Sequence, residues 1–156
     1  MFSKFTRTAT VAIVAGFVSF GAIAQERGTK DEAKAMADAA AAHVKKVGVE
    51  KAFNDFQTDK ATWIKKDMYV FAIDYTGTIV AHGMTPKLVG KNMAEMKNDD
   101  GKSSVLEMAE VAKTKGAGWY QYTFTHPATK KAENKASYIV KTPGSANTFL
   151  GVGIYQ

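Results

Sequence analysis

The side chains best suited to chemistry in this sequence are hydrogen-bond donors rather than nucleophiles. Tyr120, Tyr122 and Phe124 alternate, so on a strand they share one face, with Trp119, Gln121 and Thr123 on the other. By the same alternation Val80 and His82 share a face, and so do Ala136, Tyr138 and Val140, with Lys135 at the start of that stretch. Tyrosine and lysine donate hydrogen bonds, and histidine does so through one ring nitrogen or both. Such donors around one cation in an apolar cleft suit a small carboxylate, because charge-assisted bonds fix the anion while aromatic walls exclude water. Each residue also has a plainer reading. Tyrosine stripes on strands are commonly core, a lone histidine is commonly a satisfied one, and a lysine at a strand end is commonly solvated. Trp63 is most simply a packing anchor between helix and sheet.

Catalytic and metal chemistry find little support. His43, His82 and His126 are the only histidines, and none has the H-E-x-x-H spacing of a zinc site. There is no G-x-S-x-G nucleophile motif. Gly151-Val152-Gly153 is too short for a dinucleotide loop and falls in a strand. The chain has no cysteine, which removes thiol catalysis, thiolate zinc and iron–sulfur clusters. The run Asn98-Asp99-Asp100 lacks the spacing of a calcium loop and reads as solvated. The expectation is therefore no catalytic residue, no metal and no cofactor.

The elements that must position these donors follow from period and punctuation. The chain has 156 residues, 46% hydrophobic and 23% charged, which fits one ordinary globular domain. Lys4 and Arg7, an apolar run from Ala9 to Ile23, and Ala22-Ile23-Ala24 together make a secretory signal peptide over 1–24, with the domain over 25–156. The apolar run is shorter than the roughly 20 residues of a membrane span. The net charge of +6, two units of it in that leader, is modest and unclustered. With export, this argues against a nucleic-acid partner and leaves a weak preference for anions.

Thr29-x-x-Glu32 reads as a capping box before an alanine-rich helix with Ala33, Met36, Ala37, Ala40, Val44 and Val47 at helical spacing. Gly48 breaks it, and Val49, Ala52, Phe53 and Phe56 mark a shorter helix. Stretches 68–74 and 78–83 flank the turn signal Asp74-Tyr75-Thr76-Gly77 and should form a hairpin. Ser104-x-x-Glu107 reads as a capping box opening a further helix, closed at Gly116. Three strands follow at 118–125, 135–141 and 149–155. This order predicts an α+β fold with a five-stranded, mainly antiparallel sheet.

Taken in order, these segments resemble the single Cache family, in its second subtype. The likeness is carried by Tyr69-Val-Phe-Ala-Ile-Asp74 with Gly77, His82, Pro86-Lys-Leu-Val-Gly90-Lys-Asn92 and Asp100-Gly101. It continues through Gly116-Ala-Gly118-Trp-Tyr120-Gln-Tyr122, Pro127, Lys135-Ala-Ser-Tyr138-Ile-Val and Gly151-Val-Gly-Ile-Tyr155. The resemblance implies a PAS-like sheet with a long N-terminal helix and periplasmic recognition of small molecules, often short carboxylates. It implies a pocket between the sheet and the covering loop and helix, formed by His82, Tyr120, Tyr122, Lys135 and Tyr138, with Trp63 and Tyr69 as walls. The chain stops after its last strand, whereas familiar members are flanked by membrane spans. The expected partner is then a small organic acid, with a membrane receptor or kinase downstream. Two other readings stay open: a structural module with a filled pocket that dimerises through its N-terminal helix, and an enzyme with a site near His82.

Overall fold

The computed structural model describes residues 26–156, so the expected leader over 1–24 lies outside the described residues. Helix α1 (Lys30–Val47) begins at the capping box: Thr29 Oγ1 accepts the Glu32 amide at 3.2 Å, and the Glu32 carboxylate accepts the Thr29 amide at 2.8 Å. Its buried stripe is Ala33, Met36, Ala37, Ala40 and Val44, small side chains that let the helix lie close on the sheet. Gly48, at φ +87°, turns the chain into α2 (Val49–Thr58), which buries Ala52 and Phe56. One further turn, α3 (Lys60–Trp63), leads into the strands.

The strands are β1 (Ile64–Lys65), β2 (Met68–Asp74), β3 (Ile79–His82), β4 (Ala117–Thr125), β5 (Ala132–Lys141) and β6 (Thr148–Tyr155). Helix α4 (Ser104–Lys115) precedes β4. The sheet runs β1-β2-β6-β5-β4, and β3 also pairs with β2. Every pairing is antiparallel. The five expected strands are all present, and the sixth, β1, has only two residues. The expected hairpin turn forms: Asp74 Oδ1 accepts the amides of Thr76 and Thr78, each at 2.9 Å, and Gly77 takes φ +95°.

Alternation along β2 divides the core in two. Met68, Val70 and Ala72 meet α1, α2 and α3, while Tyr69, Phe71 and Ile73 meet α4 and the loop over 83–103. Strand β6 is buried at every position because it lies mid-sheet with both faces covered. Its glycines leave room for large neighbours. A Cβ at Gly153 would overlap Ser137 Oγ and sit 2.5 Å from Lys135 Cε; one at Gly151 would sit 2.5 Å from the Phe71 ring. Gly153→Ala is expected to lower stability by about 1–3 kcal/mol through overpacking, measured as a shift in urea midpoint at unchanged slope.

Two local expectations are corrected. Helix α4 is not opened by a box at Ser104: its N-cap is Ser103, with no side-chain cap bond. Ser104 is buried, and its hydroxyl donates instead to Asn98 Oδ1 at 2.7 Å, which fastens the preceding loop. Val80 and His82 do not share a face. The β2–β3 register shifts between Ala72 and Ile73, a bulge that puts Val80 and Ala81 with the helix core and turns His82 to the Phe71 side.

Candidate functional site

Lys135 is the centre of the second core. It sits on β5 directly between Tyr122 of β4 and Tyr155 of β6, and it is 1% exposed. Its ammonium donates to Tyr69 Oη at 2.7 Å. The rings of Tyr69, Tyr155, Phe124 and Phe71 surround it at 4.2, 4.8, 5.4 and 5.7 Å from Nζ to centroid. Among the described residues no carboxylate forms an ion pair with it. Burial pulls its pKa down to about 7, with the charge of Asp67 acting the other way. Asp67 itself is committed to the backbone, accepting the amides of Gly28 at 2.6 Å and Tyr155 at 3.0 Å.

The titratable side chains around the ammonium are held in their neutral forms by burial. His82 is 4% exposed, and its ring lies 4.8 Å from that of Tyr69. Its Nδ1 accepts the Thr85 amide at 2.9 Å, which leaves the ring proton on Nε2. Burial, then the nearby Lys135 charge, holds its pKa down at about 3, so the imidazole is a neutral donor at ordinary pH. Tyr122 Oη shares a hydrogen bond with Ser137 Oγ at 3.1 Å. Burial raises the pKa values of Tyr69 and Tyr122, and pushes Tyr155 up to about 12.

These groups border a narrow cavity of about 20 Å³. That is room for about one water molecule. Its polar lining is Tyr69, His82, Tyr122 and Lys135; the remainder is apolar, from β2, β3, α4, Phe124 and the loop residues Met93 and Met96. Met93, Met96 and Phe124 also wall a groove of about 450 Å³ that reaches Leu88, Pro127 and Lys130. The cavity and the outer groove are thus separated by two flexible thioether side chains and one ring.

The seven residues nominated from sequence divide by register. His82, Tyr122, Lys135 and Tyr69 meet at the cavity. Tyr120 is on the same face of the sheet but outside the cavity, in a neighbouring polar groove, where its hydroxyl accepts from Asn98 Nδ2 at 2.8 Å. Tyr138 and Trp63 are on the opposite face. Tyr138 lies an odd number of residues from Lys135, so the pleat sends it toward α1, against Trp119 and beneath Lys34. Trp63 packs on Phe56 and His43. Sequence reasoning missed Phe71, Ser137, Tyr155 and the two loop methionines. Alternation from Tyr69 and from Lys135 would have found Phe71 and Ser137; no periodic signal marks Met93 or Met96.

The family model for the Cache domain, dCache_2, matches residues 33–156. A curated relative, the sensor histidine kinase MctS of Rhizobium johnstonii, is 30% identical over 90 residues, 58% of this chain and 19% of that protein. The chain therefore spans about a fifth of the length of the curated relative it matches. A methyl-accepting chemotaxis protein from Vibrio parahaemolyticus superposes with a TM-score of 0.66 at 24% identity, over 81% of this chain and 87% of that one, a likeness of fold. A Cache chemosensory domain described for its carboxylic acid recognition superposes with a TM-score of 0.59 at 25% identity, over 76% and 78%. A periplasmic sensor domain of a chemotaxis protein superposes at 0.60 with 17% identity, over 80% and 88%. Among the described residues no helix is long and apolar enough to cross a membrane.

Proposed function

The chain belongs to the Cache domain family, and from that premise we propose that it is a periplasmic sensor domain that binds a small organic carboxylate at Lys135 and releases it unchanged. One observation carries the reading: a fully buried lysine, with no ion-pair partner among the described residues, borders a cavity whose other polar groups are hydroxyls and a neutral imidazole. A buried charge is costly unless an opposite charge meets it. Lys135 Nζ and His82 Nε2 supply donors, while Tyr69 and Tyr122 supply hydroxyls that can turn either way. The likeness to a carboxylic-acid-recognising Cache domain supports the same chemistry. The single subtype of the family is part of the proposal and rests on the order of the sequence segments from Tyr69 to Tyr155. Ligand occupancy would be read by a membrane receptor or kinase, the kind of protein to which the relatives belong.

The test is thermal unfolding of the mature protein against a panel of two- to four-carbon acids. A bound ligand at a hundredfold excess over Kd stabilises the fold by about 2.7 kcal/mol. At least one acid is expected to raise Tm, His82→Ala is expected to weaken that rise, and NMR of the mixture should show the acid unaltered. The absence of any shift across the panel would remove the proposal. A second reading, a pocket filled by its own side chains, is favoured by the small free volume. It predicts that absence.

A further inference from the structure

Independently of the carboxylate reading, we propose that Lys135 is a site of reversible carbamate formation, its amine adding carbon dioxide inside the cavity. Lys135 is 1% exposed, and among the described residues no carboxylate lines the cavity. The cavity of about 20 Å³ has room for about one water molecule. A three-atom rod such as carbon dioxide displaces these walls less than an organic acid does. The hydrogen bonds also run in the direction that the reaction needs. Tyr155 Oη donates to the Thr125 carbonyl at 3.2 Å, so it turns an acceptor toward Tyr69. Tyr69 is then free to donate toward Tyr155 while it accepts from Lys135 at 2.7 Å. In the neutral amine this leaves the nitrogen lone pair unused. Burial lowers the pKa of Lys135 to about 7, so near neutral pH much of the amine is nucleophilic.

The step balances with carbon dioxide as the one co-reactant. The Lys135 Nζ lone pair forms a C–N bond to the carbon, one C=O π pair moves onto oxygen, and an amine proton leaves to solvent. The product is an N-carboxylate, negative where the ammonium was positive. A buried anion needs donors. His82 lines the cavity; its Nδ1 accepts the Thr85 amide, and its protonated Nε2 has no hydrogen-bond partner among the described residues. Tyr122 also lines it, and either hydroxyl of the Tyr122–Ser137 bond can be the donor, so Tyr122 can turn its proton to the adduct when Ser137 donates. Asp67 opposes the new charge, but it does not line the cavity, and its two oxygens already accept the amides of Gly28 and Tyr155. The Phe71 and Phe124 rings beside Nζ shield the adduct from bulk water. Lys135 and Tyr122 also border the outer polar groove, together with Asp99, Asp100 and Glu107. Those carboxylates repel bicarbonate but not neutral carbon dioxide.

The experiment exposes the mature protein to isotopically labelled bicarbonate with its dissolved carbon dioxide, traps carbamates with a trialkyloxonium salt, and maps the label by peptide mass spectrometry. At about pH 7.5 the neutral fraction of a lysine titrating at about 7 exceeds that of an exposed lysine, at about 10.4, several hundredfold. Label is therefore expected on Lys135 at least about tenfold above any other lysine. Lys135→Met should lose the matching NMR resonance. His82→Ala should lower the label on Lys135 at least about tenfold, as the loss of a hydrogen bond to a charged group does. No label on Lys135, or label spread evenly over the lysines, overturns the proposal. The thermal-shift panel reads the carboxylate reading separately. Label on Lys135 with no acid raising Tm leaves carbamate formation standing alone; an acid that raises Tm in a protein that takes no label overturns carbamate formation alone. Where both hold, a saturating acid should displace the label, because both need the same nitrogen. Label undisturbed by that acid would place the carbamate outside the cavity and end the proposal.

Discussion

Lys135→Met is expected to abolish carboxylate binding and, in the same protein, to make the ligand-free fold more stable. The two effects have one cause. Lys135 is buried and has no ion-pair partner among the described residues, so its charge is a cost to the empty fold and the main attraction for an anion. Methionine keeps the length and the apolar stem but not the charge, and replacing buried ions by apolar groups of similar volume commonly stabilises by about 1–4 kcal/mol. Removing one partner of a buried charge pair costs binding about 2–5 kcal/mol, a loss of at least about thirtyfold in Kd. Calorimetry and urea unfolding measure the two quantities separately. Equal binding by wild type and Lys135→Met would end the case for an ammonium-centred site.

The pH dependence must follow from the same residue. The folded pKa is about 7, and an unfolded lysine titrates at about 10.4. Between those values the unfolded chain holds a proton that the folded chain has released, so unfolding takes up a proton and stability rises with pH. The penalty of the buried charge is fully present below pH 7 and is relieved as pH climbs toward 10. Beyond that the sign reverses. Burial holds the folded pKa values of Tyr69 and Tyr122 above their ordinary value, so unfolded tyrosines ionise first and stability falls. Wild type should therefore show a rise from pH 7 to 10 that Lys135→Met lacks. Anion binding should weaken over the same range, because it requires the protonated amine.

Much of the fold is legible in the sequence because the signals are local. A capping box, a glycine stop and an alanine stripe fix α1, and Asp74 with Gly77 fixes the hairpin turn. The site is legible only in part, because it depends on register and on partners far along the chain. Tyr122 and Lys135 were nominated separately, and only the β4–β5 pairing makes them neighbours. Tyr138 was nominated beside Lys135 although their odd separation sends them to opposite faces on a regular strand. His82 is the reverse case: alternation from Val80 gives the wrong face, and the bulge corrects it. Met93 and Met96 reach the cavity from a loop held by Thr78–Asn92 and Lys97–Ser103 bridges, contacts that have no signature in composition.

Trp63→Ala is expected to cost about 3–5 kcal/mol of stability, the range for emptying a large aromatic site, while leaving carboxylate affinity unchanged. The indole is 6% exposed, set edge-on against Phe56 at 4.8 Å and tilted on His43 at 5.1 Å. His43 is in turn bonded to Asp55 at 2.8 Å, tying α1 to α2, so the lost ring loosens the packing of all three helices. None of these groups borders the Lys135 cavity. The sheet intervenes, with Met68, Val70 and Ala72 on one side and Tyr69, Phe71 and Ile73 on the other. A folded Trp63→Ala protein, assayed well below its lowered Tm, should give the wild-type Kd within about threefold, since sites this separated are usually additive. A larger change would show that the helix layer and the cavity are energetically coupled through β2. The wall role implied for Trp63 by resemblance would then survive as an indirect one, transmitted by the strand rather than by contact.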